Sequence, residues 1–144
     1  AALKAIDALM DARAGTPEFE AYTQINPKGK VPALIGDDGS LLTEFPVIAL
    51  YLARTNPERE LIPTDIEGEI RVLEMTEYVV STVHMQGYTR ARRPEKVAPS
   101  EADHAAAKAQ GLQIFQAGLA RADRQINGED WLFEKMTIAD FALF

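Results

Sequence analysis

The sequence predicts a mixed α/β first part over residues 1–54 and an all-α second part over 65–144, joined by a linker over 55–64. Three observations carry this. Two short apolar runs flank the turn signal Asp37-Asp38-Gly39-Ser40, the pattern of a hairpin. A cluster of breakers from Asn56-Pro57 to Pro63-Thr64 then interrupts the chain. Beyond it only helical periodicity remains, most plainly at Leu112, Phe115, Leu119, Ala122 and Ile126, spaced 3, 4, 3 and 4.

The elements follow in order. Leu3, Ile6 and Met10 fall at i, i+3 and i+7 and predict a first helix. No strand precedes it, and there is no room for a proper strand between it and Thr16. That predicts a discontinuity within residues 6–12. Thr16-Pro17-Glu18 starts the next helix: threonine caps, proline suits the first helical position, and an acid favours the positive end of the dipole. Asn26-Pro27 ends it, because a residue before proline avoids the helical region. Residues 30–35 form one strand of the hairpin and Leu41-Leu42-Thr43 the return strand. Pro32 must sit at the strand's start or on an edge, since it cannot donate to the ladder. Residues 46–54 predict a helix with Pro46 first and Val47, Ile48, Tyr51 and Leu52 on its apolar face. After the linker, Ile66, Ile70 and Leu73 open a long stripe that Met75, Val79 and Val83 continue toward Gly87. Pro94 and Pro99 punctuate a loop, and residues 101–126 form a second long helix ended by Asn127-Gly128. Trp131 and Phe133 are expected as core anchors.

Composition narrows the function classes. The chain has 144 residues, of which 47% are hydrophobic and 26% charged, enough for a buried core of ordinary globular balance. A net charge of −7 argues against nucleic acid, which needs clustered cations. The basic cluster Arg90, Arg92 and Arg93 reads as a solvated helix end. Without cysteine, this stretch holds no disulfide, thiolate metal site or cysteine nucleophile. No histidine and acids show metal-ligand spacing, so no metal is expected. No apolar run approaches the roughly 20 residues of a membrane span, so no membrane partner is expected. The lack of cysteine and of a visible signal peptide fits a cytoplasmic location.

Helix, hairpin and helix followed by helices alone is the pattern of a thioredoxin-like domain, here incomplete, joined to a helical bundle. Three stretches in this order resemble the glutathione transferases. They are Ile25-Asn26-Pro27-Lys28-Gly29-Lys30-Val31-Pro32-Ala33-Leu34, Leu42-Thr43-Glu44-Phe45-Pro46-Val47-Ile48-Ala49-Leu50-Tyr51-Leu52, and Thr137-Ile138-Ala139-Asp140. Val83-His84 and Gly87-Tyr88 are most similar to bacterial beta-class members, with one residue inserted between the two pairs.

The resemblance implies a glutathione site at Lys30, Val31, Pro32, Glu44 and Phe45. It implies a cis Val31–Pro32 bond that turns the Val31 backbone groups outward, to hold a small peptide by strand addition. The residues alone allow a plain trans proline on an edge strand. Glu44 is expected to meet the ligand's amino group, although an acid near a helix start is also a common dipole-favoured placement. The family commonly has Ser, sometimes Gly, where Phe45 stands. A serine would cap the helix and touch the glutamyl carboxylate, whereas Phe45 offers only its backbone N–H at a helix start, where anions are attracted. The departure weakens the anion half of the site and leaves the cation half intact.

His84 has two readings. The resemblance places it at the active cleft between the two parts. An offset from Val83 of about 100 degrees around an α-helix puts it at the margin of the buried face. There an imidazole can donate to the ligand and position a proton. The other reading is a packing residue enclosed by Met75, Val79 and Leu112. His104 is expected to be exposed. Thr137 and Asp140 read as a capping box with Asp in place of Glu, with Met136 and Phe141 where a hydrophobic staple sits.

The implied activity is conjugation of glutathione, the co-substrate, to an electrophilic small molecule by a homodimer, a detoxification reaction. A free thiol of pKa near ~8.5 is little ionised at neutral pH, so a thiolate-stabilising residue is needed. The family places it, as Tyr, Ser or Cys, just after a first strand that this chain does not show, so no catalytic residue is assigned. The family also continues with further helices after the one that Thr137 begins, so the resemblance implies a chain shortened at both ends. The same scaffold also serves glutathione-dependent disulfide reductases, dehalogenases and isomerases, and non-catalytic binding or dimerisation modules. Cysteine at that first turn favours redox or beta-class chemistry, Tyr or Ser favours conjugation, and an apolar residue favours a binding module.

Overall fold

A computed structural model describes residues 15–143. The helix expected over Leu3, Ile6 and Met10 and the discontinuity expected at 6–12 lie outside the described residues. The chain divides into two compact units, Ala1–Tyr51 and Leu52–Phe144.

In the first unit, helix α1 (Pro17–Ile25) starts at Thr16, whose hydroxyl accepts the Phe19 N–H at 3.3 Å. It ends at Asn26, whose N–H returns to the Tyr22 carbonyl at 2.8 Å. Strands β1 (Ala33–Ile35) and β2 (Leu41–Thr43) pair antiparallel, with Leu34 opposite Leu42. The ladder begins three residues later than expected. Pro32 has no N–H to give it, and the Lys30 carbonyl is taken by the Tyr22 hydroxyl and the Asn26 side chain. At the turn, hydrogen bonds from the Ser40 hydroxyl first and the Ser40 N–H second hold the Asp38 carboxyl below the ordinary range. Helix α2 (Phe45–Thr55) follows at once.

In the second unit, the Asn56 side chain donates to the Leu52 carbonyl at 2.8 Å and closes the end of α2. The stretch read as a linker is bound into this unit. Its Leu61 carbonyl accepts the Ile138 N–H at 3.0 Å, and its Glu60 carboxylate meets the Lys135 ammonium at 2.5 Å. Helix α3 (Ile66–Glu77) is capped by Asp65, which accepts the Gly68 N–H at 2.8 Å. The rod continues as a π-helix (Tyr78–Tyr88) and then α4 (Thr89–Arg92). The Thr89 N–H reaches the His84 carbonyl five residues back. This stretch contains the pairs Val83-His84 and Gly87-Tyr88. A π-helix widens the hydrogen-bond step to five residues, and such stretches recur at functional sites.

Two expected stripes are corrected here. The face of α3 that opens at Ile66 and Ile70 is not the buried one: they are 68% and 52% exposed. Glu69, Val72, Met75 and Thr76 point inward instead. The buried Glu69 carboxylate is satisfied by the Arg54 guanidinium, which touches both its oxygens. That hydrogen bond first, and the charge second, raise the pKa of Arg54. Helix α5 (His104–Ile126) packs along the π-helix and α4, but not through its leucines. Leu112 and Leu119 are 50% and 44% exposed, while Gly111, Gly118 and Ala122 are buried. A Cβ on Gly111 would lie 2.5 Å from the Ala91 nitrogen, and one on Gly118 would lie 2.5 Å from Val83 Cγ2. The backbones approach too closely for large side chains at the contact, so the leucines flank it.

Smaller corrections follow the same logic. Trp131 is exposed and Phe133 half-buried, whereas Leu132 between them is in the core. Met136 and Phe141 are exposed. His104 is half-buried, its Nε2 2.9 Å from the Ala98 carbonyl. Helix α5 ends at Asn127, in the left-handed region at φ 48. Helix α6 (Ile138–Leu143) packs on α3. No helix among the described residues is long and apolar enough to cross a membrane.

Candidate functional site

The first unit brings Lys30, Val31, Pro32, Glu44 and Phe45 onto the loop after α1 and the corner between β2 and α2. The loop is built on Asn26, which is fully buried. Its side-chain N–H donates to the Lys30 carbonyl at 2.7 Å and to the Tyr22 hydroxyl at 3.1 Å. Its side-chain oxygen accepts the Lys28 N–H at 3.2 Å, and its backbone carbonyl accepts the Gly29 N–H at 2.8 Å. Tyr22 and Asn26 thus hold the backbone leading into Val31, a role that sequence reasoning did not give them. Asn26 lies just past the last residue of α1, so the sequence marked it only as the helix end. The Val31–Pro32 bond is cis, and the Val31 side chain is exposed.

At the corner, Glu44 has φ 71, one of three non-glycine residues with positive φ among those described. Such residues are uncommon and gather at ligand clamps. Its carbonyl accepts the N–H groups of Val47 and Ile48 at 3.1 and 3.0 Å, so Glu44 starts α2 through its backbone and its carboxylate stays free of that task. The carboxylate instead meets Lys28: the ammonium lies 2.7 Å from Glu44 Oε1 and 2.9 Å from Thr43 Oγ1. Phe45 is half-buried as the first residue of α2. Its side chain offers no hydrogen-bonding group to an anion.

In the second unit, His84 is half-buried within the π-helix. The 100-degree offset used to place it belongs to an α-helix, and the wider helix turns by less per residue. Thr137 and Asp140 are buried and bonded to each other. The Asp140 carboxylate accepts the Thr137 N–H at 2.7 Å, the Thr137 hydroxyl at 3.1 Å and the Leu132 N–H at 2.9 Å. The Thr137 oxygen accepts the Ala139 N–H at 3.3 Å. These bonds tie the start of α6 to the preceding loop. No group of three or more metal-ligating side chains is found among the described residues.

Known proteins carry the same pattern. A family model described as glutathione S-transferase, N-terminal domain, matches residues 8–55, which contain the whole cluster from Tyr22 to Phe45. Glutathione S-transferase GstA of Escherichia coli O157:H7 is 35% identical over 128 residues, 85% of this chain and 58% of that relative. A glutathione transferase homolog from Sulfitobacter, solved with bound glutathione, aligns with a TM-score of 0.77 at 29% identity. That alignment covers 88% of this chain and 62% of the solved one. The bacterial beta-class glutathione S-transferase of Sphingomonas chungbukensis aligns with a TM-score of 0.68 at 27% identity, covering 85% of this chain and 58% of the other. The chain therefore spans less than two thirds of the length of each of these relatives.

Proposed function

The chain belongs to the glutathione transferase family, and on that premise we propose that the protein binds glutathione at the β2–α2 corner and directs its thiolate at an electrophilic small molecule. The observation that carries this is Glu44: an exposed carboxylate on a left-handed corner, inside the segment that matches the family's N-terminal domain. In this reading the Val31 backbone holds the ligand by strand addition, with Lys30 exposed beside it. Glu44 pairs with the glutamyl ammonium, and the Phe45 N–H faces the glutamyl carboxylate. The thiol loses its proton, the thiolate forms a C–S bond at the electrophilic carbon, and the leaving group departs with its electron pair.

The division of labour proposed is residues 1–54 for glutathione, 55–64 as the junction and 65–144 for the apolar second substrate. The whole protein is proposed to act as a cytoplasmic homodimer in detoxification, of the beta-class kind. Val83-His84, Gly87-Tyr88 and the likeness to the Sphingomonas enzyme support that class. His84 is proposed to position a proton near the ligand. Its replacement by alanine then lowers turnover more than it lowers stability.

Calorimetric titration of the full-length protein with glutathione, paired with chloride release from a nitro-activated aryl chloride, tests the proposal. Glu44→Ala is expected to weaken glutathione binding roughly tenfold with the fold intact, a charge-assisted contact discounted for exposure. Equal affinity in variant and wild type moves the site elsewhere. Absence of glutathione binding in the wild type ends the proposal.

A further inference from the structure

The Lys28 ammonium and the Glu44 carboxylate stand side by side, 2.7 Å apart, with side chains 55% and 62% exposed. They come from different segments, the loop after α1 and the β2–α2 corner. Neither is adrift. The Lys28 backbone is anchored by the buried Asn26 side chain, and its ammonium is shared with Thr43 Oγ1 at 2.9 Å. An exposed ion pair of this kind is held weakly, so it can open to a ligand at little cost.

The pair has a chemical complement. A free α-amino-acid zwitterion carries an ammonium and a carboxylate on one carbon, so it can lie across a lysine–glutamate pair with both charges matched. Glutathione ends in such a zwitterion, because its glutamate is joined through the side-chain carboxyl and keeps both α groups free. A peptide with an ordinary α-linked glutamate has spent that carboxylate in an amide. Phe45 has no hydroxyl for the carboxylate and offers only its backbone N–H, which leaves room for a cation beside Glu44, and Lys28 already touches Glu44.

We infer that Lys28 and Glu44 together read the γ-glutamyl zwitterion, Glu44 taking its ammonium and Lys28 its carboxylate, which makes Lys28 the residue that selects γ-linked over α-linked peptides. This rests on the proposed glutathione site and deepens it. On binding, the Lys28–Glu44 bond is exchanged for two bonds to the ligand, so the charge balance of the corner is kept.

The test is calorimetric titration of the full-length protein with three ligands. These are glutathione, 4-aminobutyryl-cysteinylglycine, which lacks the α-carboxylate, and glutaryl-cysteinylglycine, which lacks the ammonium. Lys28→Met is expected to weaken glutathione roughly 3- to 10-fold, the range of an exposed charge-assisted contact, and to leave the 4-aminobutyryl ligand unchanged. Glu44→Gln does the reverse, weakening glutathione and sparing the glutaryl ligand. Lys28→Arg restores the preference for glutathione, and thermal melts check that each variant is folded. An equal loss for both ligands in Lys28→Met, or unchanged or tighter glutathione binding, overturns the assignment; tighter binding marks Lys28 as a plug on Glu44. If Glu44→Gln weakens glutathione and Lys28→Met does not, only the role of Lys28 falls. If neither variant changes glutathione binding, the site itself is misplaced.

Discussion

At φ 71, Glu44 occupies a region where a side chain costs roughly 1–2 kcal/mol. Glycine removes that cost and alanine keeps it, while both remove the carboxylate. Glu44→Gly is therefore expected to be more stable than Glu44→Ala by ~1 kcal/mol, with the same loss of glutathione affinity. Paired melts and titrations check this, and equal stability would show that the corner relaxes without strain. Glu44 was legible from sequence through the motif around Pro46, but its partner was not. Lys28 lies 16 positions away, and no local pattern says that a loop lysine reaches that corner. Asn26 was legible only as the end of a helix. Its burial, and its hold on Lys30, arise from how the loop folds back over α1, which periodicity does not describe.

The elements of the second unit show a different kind of gap. Helix identity and the end of α5 at Asn127-Gly128 were legible, because breakers act locally, whereas the Asp65 cap that starts α3 was not read. Of the buried face of α5, only Ala122 was legible. A stripe read from side-chain size selects Leu112 and Leu119, whereas the contact selects the smallest residues, Gly111 and Gly118. Alanine normally stabilises a helix relative to glycine by about 1 kcal/mol. Gly111→Ala is expected to do the opposite and cost ~1–3 kcal/mol, since its Cβ meets the Ala91 nitrogen and the Gly87 carbonyl, which cannot move aside alone. Gly118→Ala meets the Val83 side chain, so a smaller loss is expected. Urea midpoints at unchanged slope measure both, and a stabilising Gly111→Ala would refute the close approach. At α6, Thr137→Ala is expected to cost ~0.5–2 kcal/mol as a lost cap. Asp140→Ala is expected to cost more, because the buried N–H groups of Thr137 and Leu132 lose their acceptor at ~1–3 kcal/mol each.

Across the whole chain, the change from mixed to helical pattern at residues 56–64 was legible because breakers cluster there. That the same residues are fastened to the second unit was not, since the fastening runs to Lys135 and Ile138, far along the sequence. The Glu60–Lys135 pair gives this fastening a pH signature. Its hydrogen bond first, and the opposite charge second, lower the pKa of Glu60 and raise that of Lys135. A lowered carboxyl pKa contributes stability that is present above the ordinary glutamate value of 4.5 and is lost as pH falls through the lower folded value. A raised lysine pKa contributes stability that is present below the ordinary 10.5 and is lost as pH rises through the higher folded value. The pair therefore supports the fold across the whole neutral range. Lys135→Met is expected to melt below wild type at pH 7, and the two curves are expected to converge as the pH falls below 4.5 and on through the lower folded value, where Glu60 is protonated in the folded wild type as well. Both partners are exposed, so added salt narrows the gap at pH 7 as well. A gap that persists unchanged at low pH and in high salt would mean that Lys135 acts through the packing of its aliphatic stem and not through its charge.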